Sequence, residues 1–86
     1  MSDEPPHPLA EHVLELLKLA NNNGKFAIQL GHAMSYDRQN AFEWMLMNDW
    51  IRLIDVTALS HGPGGIFRVY RAMPVAMAFR TRMETH

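Results

Sequence analysis

Cysteine is missing from the 86 residues, which removes disulfides, thiolate metal sites and a cysteine nucleophile at once. Long apolar runs are missing too, since none approaches the roughly 18–20 residues that a membrane span needs. The first residues, Met1-Ser2-Asp3-Glu4-Pro5-Pro6, are acidic and proline-rich where a secretory signal would be basic and then apolar. Nor is there a large charge of one sign: a net charge of −1 and a pI of 6.5 give no global field that advertises nucleic acid. These absences predict a cytoplasmic protein with no membrane partner. What remains is a 9.9 kDa chain that is 48% hydrophobic and 20% charged, the balance of one small globular domain.

Chemistry-bearing groups are sparse. His7, His12, His32, His61 and His86 stand at no metal-ligand spacing. No Ser-His-Asp grouping and no carboxylate dyad can be assembled. Ser60-His61-Gly62-Pro63-Gly64-Gly65 is glycine-rich, but it is expected to join strand to strand and so lacks the helix N-terminus of a phosphate cradle. Neither enzyme nor cofactor is expected. The charge is nonetheless uneven. Residues 1–51 carry three bases against seven acids, and residues 52–86 carry five arginines against two acids, hinting at one basic face.

Hydrophobic periodicity then organises the chain. Residues 1–8 have no pattern and read as a flexible leader. A first helix is predicted from about Pro8 or Leu9 to Ala20: Val13, Leu16, Leu17 and Ala20 repeat at helical spacing, with Glu11, Glu15 and Lys18 facing water. Asn21-Asn22-Asn23-Gly24 tolerates the left-handed conformation that ends it. Lys25 to Met34 admits two readings. Phe26, Ile28 and Leu30 alternate as in a strand, whereas Ala27, Leu30, Gly31 and Met34 share a helical face; length favours a very short strand at Phe26 and a short helix from about Ala27. Ser35 is a candidate N-cap for a third helix running to about Asn48, with Asp37 in its first turn. Arg38, Ala41, Phe42 and Met45 mark its inner face, with Leu46 at one edge.

Residues 52–73 alternate like a hairpin about the glycine-rich turn. If Leu59 pairs with Ile66, then Ile54, Val56, Ala58, Phe67 and Val69 share a buried face, and Asp55, Thr57, Arg68 and Tyr70 share a wet one. Pro74 suits the first position of a last short helix, although a two-residue repeat is equally allowed there.

The stretch Phe42-Glu43-Trp44-Met45-Leu46-Met47-Asn48-Asp49-Trp50-Ile51-Arg52-Leu53 resembles the end of a recognition helix in the winged helix-turn-helix superfamily. Apolar residues precede a tight exit, then Trp-Ile and an Arg enter the first wing strand; Asn48-Asp49 replaces the usual glycine, a change that left-handed tolerance permits. The resemblance covers about residues 9–73. It implies an α+β winged-helix domain of three helices and a two-stranded wing, with 74–86 as an extension available for dimer or partner contact. It further implies double-stranded DNA as partner, read by the third helix in the major groove. Arg38, Gln39 and Asn40 would contact base edges, Ser35 and Tyr36 phosphate, and Thr57, His61 and Arg68 would serve the wing. A regulator of this size would act as a homodimer.

Two features cut against DNA. Asp37 and Glu43 flank the readers and would meet phosphate. Trp44 and Met47 lie on a flank that the inner face does not need: either they pack on the first helix, or with Met77 and Phe79 they form a subunit or partner interface. The alternative reading is therefore a protein-interaction module, an adaptor or an inhibitor of the phage and mobile-element kind, acting through Trp44, Met47, Asp37 and Glu43.

Overall fold

The computed structural model describes residues 4–29, 34–58 and 66–85. The elements run α1 (His7–Leu17), β1 (Lys25–Gln29), α2 (Tyr36–Met47), β2 (Ile51–Ala58), β3 (Ile66–Ala72) and α3 (Pro74–Glu84). The strands form one antiparallel sheet in the order β1-β3-β2. The protein is thus a small α+β domain. Its element order differs from the expected one: the segment from Ala27 to Gln29 is strand, not the start of a helix, because pairing with Phe67–Arg71 satisfies the backbone of Lys25–Gln29 in extended form. Gly31 and Leu30, invoked for the helical reading, lie outside the described residues.

Each helix forms for a local reason. Pro8 opens α1 just inside its first turn, and the helix buries Val13, Leu16 and Leu17 at the expected spacing. It begins earlier than predicted, at His7, and closes earlier too: Leu19 and Ala20 donate to Leu16 and Leu17 in a tightened last turn. Asn21 then organises the reversal. Its Oδ1 accepts from the backbone N–H groups of Asn23 (2.9 Å) and Lys25 (3.1 Å), and Gly24 takes φ +78°.

Ser35 caps α2 as expected, accepting from the Arg38 amide at 3.3 Å. The far end of α2 closes in a Schellman turn: Trp50 N–H donates to Met45 C=O at 2.9 Å and Asp49 N–H to Leu46 C=O. Asp49, at φ 57°, takes the left-handed position rather than Asn48. Buried Trp50 and Met45 supply the apolar contact that accompanies such turns.

The core gathers Val13, Leu16 and Leu17 of α1, Ala41, Phe42 and Met45 of α2, Phe26, Ile51, Tyr70 and Ala72 of the sheet, and Ala76 and Phe79 of α3, with Trp50. Four ring contacts bind it: Phe26 to Tyr70 (5.8 Å), Phe42 to Tyr70 (4.9 Å), Trp44 to Trp50 (4.9 Å) and Trp50 to Phe79 (5.3 Å). Residues 74–84 are accordingly a wall of the domain rather than an appended extension. Arg80 fastens them: its Nη1 donates to the carbonyls of Leu17 and Ala20, both at 3.1 Å, satisfying the open end of α1. Pro5 is buried and Glu4 pairs with Arg82, so the expected leader joins the fold at least from Glu4.

The hairpin exists, but its faces are exchanged relative to expectation. Ala58, not Leu59, pairs with Ile66, and the register shifts between Leu53 and Asp55, where Ile54 is the extra residue of a bulge. A one-residue slip moves every side chain to the other face. Tyr70 is therefore in the core, opposite Phe26 and Leu53, while Val69 and Phe67 are half-buried on the face away from it. Ile54 and Val56, expected inside, are exposed. Ala58 holds its place in the ladder, and Leu59 lies outside the described residues.

Candidate functional site

α2 carries most of the candidate residues, and its outer surface is uncovered by the described chain. Tyr36, just inside the cap, is 81% exposed; Asp37, Arg38, Gln39 and Glu43 are exposed and Asn40 half-buried. Anchoring comes from Phe42 and Met45, which hold the helix against the sheet and α1 while its first turns project. Ser35 spends its hydroxyl on the Arg38 amide.

Electrostatics on this face are mixed. Arg38 does not point inward, as its spacing suggested, but reaches across to α1, where Nε and Nη2 contact Glu15 Oε2 at 3.1 and 3.0 Å. Gln39 Nε2 donates to Glu43 Oε1 at 3.3 Å. His12 stands between Glu15 and Asp37, its Nδ1 3.6 Å from one carboxylate and its Nε2 3.7 Å from the other. Two of the three expected base readers are thus engaged by carboxylates of the same molecule. Periodicity could not reveal the Arg38–Glu15 pair, because it joins residues 23 apart on different helices.

The hairpin residues divide. Arg68 is exposed on the same sheet face as Tyr70 and beside Val56, its partner in the ladder. Thr57 projects to the opposite face, paired with Phe67, so Thr57 and Arg68 do not act on one surface. His61 lies outside the described residues.

The expected interface residues divide as well. Met47 is 85% exposed at the end of α2. Trp44 is half-buried against the core, its ring 4.9 Å from that of Trp50, and Met77 packs against the core as well. Phe79 is a core residue, 4% exposed, and presents no surface. Ile54 and Val56, expected on a buried face, and Leu46, expected at the edge of one, are exposed, as are Leu53 and Ile66. Along the ribbon alternation hid this, since an apolar residue in a strand looks the same whether or not a helix covers it.

Among the described residues no group of His, Asp and Glu could hold a metal ion, and no helix is long and apolar enough to cross a membrane. Compared with protein-family models, curated proteins and solved structures, the chain matches none.

Proposed function

We propose that this is a cytoplasmic winged-helix-like regulator that binds double-stranded DNA with the first turns of α2. One observation carries the reading: Tyr36, Arg38 and Gln39 are exposed on the first turns of a capped helix beside β1, and Arg68 lies on the same side of the sheet. Arg suits guanine and Asn or Gln adenine, and positions one turn apart enter one groove. Engagement requires Arg38 to exchange Glu15 for the nucleic acid; an exposed pair of this kind contributes little stability and exchanges readily. Two copies bound to adjacent half-sites, meeting through exposed Leu19 of α1 and Val75 and Met83 of α3, would supply the contacts that one small module lacks.

Anisotropy titration against a random pool of duplexes at about 50 mM salt tests the proposal. Binding should weaken steeply with salt, Asn40→Ala should change sequence preference, and Arg68→Ala should weaken binding to all sequences alike. Absence of binding even in the non-specific range, Kd of about 10⁻⁴ to 10⁻⁶ M, overturns it.

The exposed apolar set favours a second reading, a module that docks a protein through Met47, Leu46, Leu53 and Val56 with Asp37 and Glu43 at the rim. On that reading Met47→Asp abolishes the complex, whereas on the first it leaves DNA affinity within about twofold, as expected of an apolar site away from phosphate.

A further inference from the structure

The pairing register sets three cations in one row. Lys25 of β1 stands directly opposite Arg71 of β3, and Arg71 directly opposite Arg52 of β2. Opposed residues of antiparallel strands project to the same side, so all three lie on the face turned away from Tyr70 and the core. Strands about 4.7–4.9 Å apart make the row about 10 Å long. Each of the three is exposed.

Such a row is unfavourable in isolation. Like charges directly opposed across strands destabilise a sheet, and Arg71 has a cation on either side. Compensation within the described residues is slight: Asp49 stands 4.0 Å from Arg52, and no ion pair reaches Lys25 or Arg71. The arrangement is also local. The next row on this face is Ala27, Val69 and Asp55, and the row after it is Gln29, Phe67 and Thr57. Packing does not demand these cations, because the face that bears them covers no helix of the core. They sit at the root of the ribbon, where the sheet is most firmly held by Ile51 and Ala72.

We infer that this row is a binding strip for consecutive phosphate groups, of a phosphodiester backbone or a free polyphosphate. An anion lying across the three strands neutralises charges that the fold otherwise holds against one another. Arg52 and Arg71 offer planar forks that match phosphate oxygens, and Lys25 adds a compact charge at one end. The strip is independent of the reading of α2, since it occupies the other face of the sheet.

Amide and arginine side-chain chemical-shift titrations of the full chain at about 50 mM salt test it, with inorganic tripolyphosphate, a short oligothymidylate and a short duplex as probes. The expected shifts centre on Lys25, Arg52 and Arg71. Response to tripolyphosphate alone identifies a small-anion site; response to the oligonucleotides as well identifies a backbone track. In the latter case Arg71→Gln lowers the slope of log K against log salt by about 0.9 for the duplex or about 0.7 for the single strand. In anion-poor buffer Arg71→Gln and Lys25→Gln should each raise Tm by about 1–4 °C, relief of a cross-strand repulsion in a domain of this size, and each should lose the further rise that tripolyphosphate gives the parent protein.

Shifts spread evenly over Lys18, Arg68, Arg80 and Arg82 would overturn the strip, as would unchanged or lower Tm in both variants. Binding to phosphatidylglycerol vesicles with no response to any of the three probes would overturn it too. Duplex-induced shifts confined to Tyr36–Asn40 would remove the strip and leave the α2 reading standing; shifts confined to the strip would do the reverse.

Discussion

The two ends of the β2–β3 ribbon have similar sequences and opposite environments. At the root, Ile51, Tyr70 and Ala72 are buried beneath α2 and α3 and bracketed by Trp50. Further out, Ile54, Val56 and Ile66 are exposed, although they are as apolar as the root residues, and Leu53 is exposed too while standing directly opposite buried Tyr70. A strand's side-chain pattern states which residues share a face; whether that face is dry depends on how far the covering helices reach. The root therefore stores stability, and the outer ribbon is free to meet something else.

Substitutions can break or sharpen this contrast, and denaturant midpoints measure them. Largest should be Ile51→Ala, costing about 2–5 kcal/mol by loss of burial and an unfilled cavity, whereas Val56→Ala on the outer ribbon should stay within about 0.5 kcal/mol. Equal costs at the two sites would abolish the distinction. Arg80→Met should cost about 1–3 kcal/mol, because it leaves the carbonyls of Leu17 and Ala20 without their partner in a half-buried place. Gly24→Ala comes next, at about 1–2 kcal/mol for the left-handed backbone; an added Cβ would also stand 3.1 Å from the Ala72 carbonyl oxygen, where the β1 turn approaches the root. Opposite in sign is Asp49→Gly, which should stabilise by about 0.5–1 kcal/mol, since glycine takes the left-handed turn without a Cβ penalty. For the surface itself, Glu15→Gln should tighten duplex binding by freeing Arg38 and removing one carboxylate, and a weaker complex in anisotropy would contradict the role given to α2.

Much of the fold was legible in the residues. Val13, Leu16 and Leu17, and Ala41, Phe42 and Met45, repeat at helical spacing and are buried as that spacing requires. Ser35 and Gly24 announced a cap and a turn through their own chemistry. Misreading began where long-range pairing outweighed local pattern. Lys25–Gln29 carries both helical and strand periodicity, and pairing with β3, some forty residues away, decides for strand. A one-residue slip at the tip, where Ala58 rather than Leu59 meets Ile66, and a bulge at Ile54 together changed the hairpin register, and Tyr70 rather than Val69 faces the core beside Phe26. In the candidate site, spacing found the exposed turn of α2 but not the carboxylate from α1 that holds Arg38. The cation row was equally hidden, because Lys25, Arg52 and Arg71 become neighbours through register alone.

The contact between Arg80 and α1 has a consequence for timing. The residues it joins are 63 and 60 positions apart, so at a synthesis rate of about 5–20 residues per second roughly 3–13 s separate their appearance. Through that interval the last carbonyls of α1 stay hydrated, and β1 waits for β3, its neighbour in the sheet. The ladder consequently closes only once β3, its central strand, has been made, rather than growing strand by strand from the first.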